Sequence, residues 1–263
     1  MVPHRRSMEK RRYPVRKSPS IPKSDMVFGI QSVLETLRSG KEIERLLIQK
    51  DQSFPEIQQL ARELGAPLSR VPPEKLDRLT RKNHQGVVCF ISPVRYVPVH
   101  NVLTQVFEDG QTPLFLMLDR ITDVRNFGAI ARTAECAGAQ SLLVPFKGGS
   151  QINSDAMKTS SGALNYLPVS REGSILDTLH YLRDSGLQVV ACTEKGEDSL
   201  YEVDFKLPTV IIMGSEEDGI AESLLKLSDR KVRIPLGGKV ESLNVSAAAA
   251  VVLYEAVRQR ESQ

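Results

Sequence analysis

The 263-residue chain has no apolar run approaching the roughly 20 residues needed to cross a bilayer, and its N-terminus lacks the apolar stretch of a secretory signal. These absences disfavour membrane-spanning and exported classes and lead us to expect a cytoplasmic protein. Cysteine is scarce: Cys89, Cys136 and Cys192 lie far apart and form no CxxC pair, which suits buried, reduced thiols. The four histidines, His4, His84, His100 and His180, show no metal-ligand spacing, so no metal is expected. There is no GxGxxG after the first strand of the C-terminal half, no GxxxxGK[ST] and no GxSxG. A dinucleotide fold, a P-loop ATPase and an α/β-hydrolase are thereby disfavoured. No internal repeat is visible.

What is present is unevenly distributed. The formal charge of +3 conceals a basic arm: residues 1–24 carry eight Arg and Lys against Glu9 alone, on a mildly acidic remainder. Such an arm suits attraction to a polyanion, most simply nucleic acid, and equally a solvated tail with no specific role. An organellar transit peptide fits less well, because Pro3, Pro14, Pro19 and Pro22 interrupt any amphipathic helix. Residues 1–24 read as a disordered tail. Residues 25–95 read as a small α/β unit, with helical spacing over Gly29 to Leu37 and Phe54 to Leu64, a strand over Ile43 to Ile48, a short helix over Pro72 to Leu79 and a β-rich run at Val87 to Ile91. Residues 96–112 read as a linker containing one helix around Val99 to Phe107.

Residues 113–263 read as a second α/β domain. The continuous apolar runs Leu114 to Leu118, Ser141 to Val144, Val189 to Cys192 and Val210 to Met213 predict strands buried on both faces of a mostly parallel sheet. Helices are expected from Ala129 to Ala137, over Ile175 to Arg183 and from Ser246 to Arg260, with Ser246 as the N-cap of the last.

Three polar clusters fall at strand ends, where open α/β sheets place ligands. In the first, Asp123 to Arg132, Asn126 and Gly128 occupy the turn after a strand, and Arg132 follows in the first turn or two of a helix. Its planar fork suits a phosphate or a ribose oxygen, although a helix-start Asn and a surface Arg would look the same. In the second, Ile211 to Ile220, a buried strand stops at Gly214 and the acidic turn Glu216–Glu217–Asp218 follows. The carboxylates can bind a metal, cap a helix, orient a donor or simply be solvated. In the third, Ile234 to Ser246, a glycine-containing loop leads into Ser242–Leu243–Asn244 and an alanine-rich helix. Free backbone N–H groups there suit a ligand, and equally an ordinary N-cap.

Taken in order, N-x-G-x-x-x-R, I-M-G-S-E-x-x-G-I and I-P-L-x-G-x-V-x-S-L-N-V-S-x-A resemble the SpoU (TrmH-like) branch of the SPOUT RNA ribose methyltransferases. Asn83 to Val88, with its H-Q-G, is similar to the end of that family's L30e-like domain. The resemblance implies an α/β fold: a SPOUT-type parallel sheet with a C-terminal trefoil knot over residues 190 to 255, plus the small N-terminal L30e-like domain. It implies S-adenosylmethionine as cofactor, contacted by Gly214, Ile234 and Leu243, and a homodimer whose active sites draw on both chains, with Ala247 to Ala250 suited to close helix packing. It implies methyl transfer to a ribose 2′-hydroxyl of RNA, most simply a guanosine of 23S rRNA, with Arg132, Asn126, Glu216, Ser242 and Asn244 at the reacting centre. A guanidinium keeps its proton across the physiological range, so Arg132 is expected to orient the hydroxyl and stabilise its developing charge. His84 is a candidate RNA contact, or equally a turn histidine packing between the domains. A tRNA target, another rRNA site, and a non-catalytic rRNA-binding assembly factor remain as alternatives.

Overall fold

The computed structural model describes residues 26–261; the basic arm over 1–24 lies outside the described residues. The chain runs β1 (Met26–Phe28), α1 (Ile30–Arg38), β2 (Ile43–Gln49), α2 (Pro55–Glu63), β3 (Leu68–Val71), α3 (Pro73–Leu79) and β4 (Val87–Ile91). It continues through α4 (Val99–Glu108), β5 (Leu114–Asp119), α5 (Val124–Cys136), β6 (Ser141–Pro145), α6 (Ser154–Thr159), β7 (Val169–Glu172), α7 (Ile175–Asp184) and β8 (Gln188–Cys192). It closes with β9 (Asp198–Ser199), β10 (Thr209–Gly214), α8 (Glu222–Leu227), β11 (Arg230–Arg233) and α9 (Val245–Glu261).

The first four strands form a sheet in the order β1-β4-β2-β3, antiparallel except for the β2–β3 pair. Side chains alternate across β2: Leu46 and Ile48 join Val33, Leu37 and Ile57 from α1 and α2, while Leu47 points to Leu76 of α3 on the other face. Amphipathic helices on both faces complete this small unit.

The remaining strands form a sheet in the order β7-β6-β5-β10-β8-β11-β9, parallel at every pairing. β5 is buried along its whole length, as its unbroken apolar run predicts. Leu114, Leu116 and Leu118 enter the core under α5 and α9, and Phe115 and Met117 enter the opposite core with α4 and α7. The result is a three-layer α/β/α sandwich. α4, in the segment read as a linker, buries Val99, Val102, Leu103 and Val106 against this larger sheet.

Two helix starts differ from the sequence reading. α5 begins at Val124 rather than near Ala129, because the Asp123 carboxylate accepts from Arg125 N and Asn126 N at 2.7 and 2.9 Å and caps a turn rich in weak helix formers. Asn126 therefore sits in the first turn of α5, and Arg132 in the third. α9 begins at Val245, with Asn244 rather than Ser246 as its cap: Asn244 O accepts from Ala248 N at 2.9 Å, and Asn244 Oδ1 from Ser246 N at 3.0 Å. Among the alanines of α9, Ala249 is fully buried in the core and Ala247 is exposed.

A buried polar cluster joins the two units. Glu44 of β2 is engaged by Arg171 of β7 and by the Tyr96 hydroxyl, and its Oε1 accepts from Ile152 N at 3.1 Å. The Arg171 guanidinium also lies 3.7 Å from the Tyr96 ring centre. Burial pushes the Glu44 carboxyl up, against the pull of Arg171.

Candidate active site

β8, β10 and β11 are parallel neighbours, so their carboxyl ends emerge on one edge of the sheet. There the loops after them enclose a cavity of about 340 Å³, within the range of small-molecule sites. Gly214, Ile234 and Leu243 all line it, as do Glu216, Ser242 and Asn244. Met213, Ile220 and Ala248 supply apolar wall, and Glu194 and Glu241 add carboxylates. Among the described residues, the backbone N–H groups of Ile234 and Leu243 donate to nothing, which leaves them available to a ligand.

At one wall of the cavity the three motifs meet through side chains. Asn244 Nδ2 donates to Glu216 Oε1 at 2.7 Å and to Asn126 Oδ1 at 3.1 Å, and Asn126 Nδ2 donates to the same Glu216 oxygen at 3.3 Å. Val245 N donates to that oxygen as well, at 3.3 Å. One carboxylate oxygen thus ties α5, the turn after β10 and the start of α9 together.

The Glu216 turn is tightly built. Ser215 N donates to Gly219 O at 3.2 Å, and Gly219 N donates back to Ser215 O at 3.0 Å. A Cβ on Gly214 would meet the Gly219 carbonyl carbon at 2.3 Å and Ile220 N at 2.5 Å. The close approach that makes glycine necessary at 214 is thus made by the protein's own backbone. The turn is also held from β5: Arg120, whose φ is +55°, donates to Gly219 O at 3.2 Å and pairs with Asp119 and Asp218. Asp119 Oδ2 accepts from Ala221 N at 2.7 Å. No sequence signal singled out this Asp119–Arg120 brace.

Two expected site residues stand apart from the rest. Arg132 is exposed, does not line the cavity, and its side chain makes no hydrogen bond or ion pair with the described residues. Six helical residues beyond Asn126 it lies about a third of a turn away around α5 and about 9 Å further along its axis. Ser242 lines the cavity but has no side-chain partner among the described residues.

His84, expected as an RNA contact, has both ring nitrogens committed within the chain. Nδ1 accepts from Gly86 N at 3.0 Å, which places the ring proton on Nε2, 3.0 Å from Asp77 Oδ1. Its side chain is only 12% exposed. The adjoining residues are structural too. Gln85 Oε1 accepts from Ile30 N at 2.9 Å at the start of α1, and Gly86 packs where a Cβ would strike Phe54 at 2.8 Å.

Cys192 lines the cavity, and burial next to Glu194 pushes its thiol up to about 12. It therefore stays a thiol at neutral pH and is a poor nucleophile toward anything bound there.

Residues 113–254 match the SpoU rRNA Methylase family, and residues 26–97 match the substrate-binding domain of RNA 2′-O ribose methyltransferases. A putative TrmH family tRNA/rRNA methyltransferase of Bacillus subtilis is 31% identical, over 90% of this chain and 96% of its own length. A 23S rRNA (guanosine-2′-O-)-methyltransferase of Pseudomonas aeruginosa is 34% identical, over 90% and 97%. The crystal structure of the SpoU methyltransferase AviRb from Streptomyces viridochromogenes, in complex with AdoMet, superimposes with a TM-score of 0.55 at 27% identity, covering 90% of this chain and 91% of that one. The shared motifs, the parallel sheet that carries them and these matches, which span both units, agree: the chain belongs to the SpoU family of RNA methyltransferases.

Proposed function

We propose that this protein transfers a methyl group from S-adenosylmethionine to the 2′-hydroxyl of a guanosine ribose in 23S rRNA. The observation that carries the reading is the Glu216 oxygen shared by Asn126, Asn244 and Val245 beside the cavity lined by Gly214, Ile234 and Leu243. The cavity fits the cofactor in size and in chemistry. It has apolar wall for a base, open backbone N–H groups for its edge, carboxylates suited to hydroxyl and cationic groups, and no thiolate to intercept a methyl group.

When bound, S-adenosylmethionine supplies a methyl group on a positively charged sulfonium. Gly214, Ile234 and Leu243 hold it through backbone contacts. Glu216, fixed by two amides and a backbone N–H, orients Asn126 and Asn244, and these with Ser242 position the ribose. Arg132 would orient the 2′-hydroxyl and stabilise the negative charge that develops on its oxygen as the O–C bond forms, the C–S bond breaks and the hydroxyl proton passes to a substrate phosphate or solvent. Arg132 does not line its own chain's cavity, and we assign it to the site of a second copy in a homodimer. The trefoil knot belongs to the same proposal. In its support, the loops after β8, β10 and β11 gather around one cavity, and the chain leaves them to pack as α9 on α5.

The guanosine and the 23S target rest on the Pseudomonas relative and on the match of residues 26–97. The test is incubation with unmodified 23S rRNA transcript and methyl-labelled cofactor, followed by mapping of the modified ribose. Transfer to tRNA or to another nucleotide would move the target; no transfer to any RNA would overturn the enzyme reading.

A further inference from the structure

We propose that the loop Lys147–Gln151, together with Arg45 of the small unit, is a phosphate-binding nest that holds a backbone phosphodiester of the RNA substrate at the seam between the two units. The proposal rests on the RNA methyltransferase reading above and adds to it a site that none of the three motifs contains.

The loop leaves the carboxyl end of β6 and faces β2 and β3 across a cavity of about 260 Å³. Its backbone is unusual. The N–H groups at either end are satisfied, Phe146 N by Glu172 O at 2.8 Å and Ile152 N by Glu44 Oε1 at 3.1 Å. Between them the five consecutive N–H groups of Lys147, Gly148, Gly149, Ser150 and Gln151 donate to no described residue. Gly148 takes a φ of +85°, the left-handed geometry that lets neighbouring N–H groups converge into an anion-binding concavity.

The side chains around the cavity agree with an anion. The Ser150 hydroxyl and Arg45 Nε are both buried without a partner, two polar atoms of the kind that a bound ligand commonly satisfies. The Gln151 amide oxygen, turned toward Arg45, accepts from its terminal nitrogens and leaves Nε over. Arg45 is steadied over the Phe90 ring at 4.9 Å. Lys147 is exposed and has no partner among the described residues. The carboxylate that lines the cavity, Glu44, is already committed to Arg171, Tyr96 and Ile152 N. Open N–H groups, the unpartnered Arg45 Nε and the Lys147 ammonium select a tetrahedral oxyanion, for which phosphate is the biological form.

Position makes that phosphate part of a polynucleotide. β6 and β10 are separated only by β5, so the nest and the Glu216 turn lie two strand spacings apart, about 10 Å, along the same sheet edge. Arg120 spans the gap: a Cβ on Gly148 would come within 4.0 Å of its Cγ, and its guanidinium holds Gly219. A strand whose ribose sits at Glu216 has its flanking phosphates within reach of Lys147.

The test uses the full chain. Amide resonances are followed during titration with inorganic phosphate, and the largest shifts are expected at Lys147–Gln151. Binding of unmodified 23S rRNA transcript is then measured against salt for wild type and Lys147→Glu. The variant should lower the slope of log K against log salt by about one and weaken binding about ten-fold, with S-adenosylmethionine affinity unchanged. Gly149→Pro, which deletes one N–H and no charge, should weaken binding at an unaltered slope. An unchanged slope and affinity in Lys147→Glu would overturn the proposal, and so would amide shifts with phosphate that have no counterpart in RNA binding. Wild-type methyl transfer with an unaltered Lys147→Glu slope defeats this site alone. A lowered slope without any methyl transfer defeats the enzyme reading and leaves the site standing.

Discussion

Asn244 and Glu216 meet at 2.7 Å, and Asn244 uses both ends of its amide to make the contact rigid. Its Nδ2 donates to Glu216, while its Oδ1 accepts from Ser246 N at the start of α9. A helix cap thereby fixes the orientation of a site residue. Asn244→Asp separates the two roles, because Asp caps as well as Asn but sets a carboxylate against Glu216. We expect the melting temperature to stay within a few degrees of wild type and methyl transfer to fall about a hundred-fold. Calorimetric melting and single-turnover assays check both.

Assignment of Arg132 to the site of a second copy predicts complementation. Arg132→Ala and Asn244→Ala should each be inactive alone. Mixed after mild dissociation and reassembly, they should regain about a quarter of wild-type turnover, since half of the dimers are mixed and each mixed dimer holds one intact site. No recovery from mixed dimers would place Arg132 and Asn244 in the same chain's site.

Cys192 should resist alkylation. With its thiol held up to about 12, it should stay unmodified by iodoacetamide at pH 8, whereas the exposed Cys136 reacts. Mass spectrometry of the alkylated peptides reads the difference.

The Glu44–Arg171 contact is buried at the seam, with side-chain exposures of 8% and 10%. Arg171→Met leaves the carboxylate without its main partner and should cost about 3–5 kcal/mol. The double change Arg171→Met with Glu44→Leu should recover much of that loss. Denaturant melts of the four proteins give the coupling directly.

Glu255 sets a pH dependence. Its carboxylate accepts from Arg258 Nε at 2.8 Å and Nη2 at 2.7 Å, and these bonds hold its pKa below the ordinary 4.5. The stability it contributes is complete above about pH 4.5 and is lost as pH falls through the lowered value. Glu255→Gln should flatten that part of the acid limb, as measured by thermal melts between pH 3 and 6.

The sequence by itself determined the layers and the family. Runs such as Leu114 to Leu118 have only one comfortable place, the middle of a parallel sheet covered on both sides, and the ordered motifs at strand ends named the chemistry. Local signals failed where a side chain overrode propensity. Asp123 starts α5 five residues before the alanines that suggested it, and Asn244 takes the cap that Ser246 seemed to offer. For His84, a candidate RNA contact or a turn histidine by sequence, only the structure shows that Asp77 and Gly86 N occupy its ring. Tertiary structure alone decided which polar residues share a point in space. Asn126, Glu216 and Asn244 are far apart in the chain and converge because β5 and β10 are neighbours in the sheet and α9 returns against α5. The same packing leaves Arg132 exposed and outside the cavity lining, and lays the Lys147 loop beside Arg45. These relationships depend on strand order and helix phase, which no local pattern encodes.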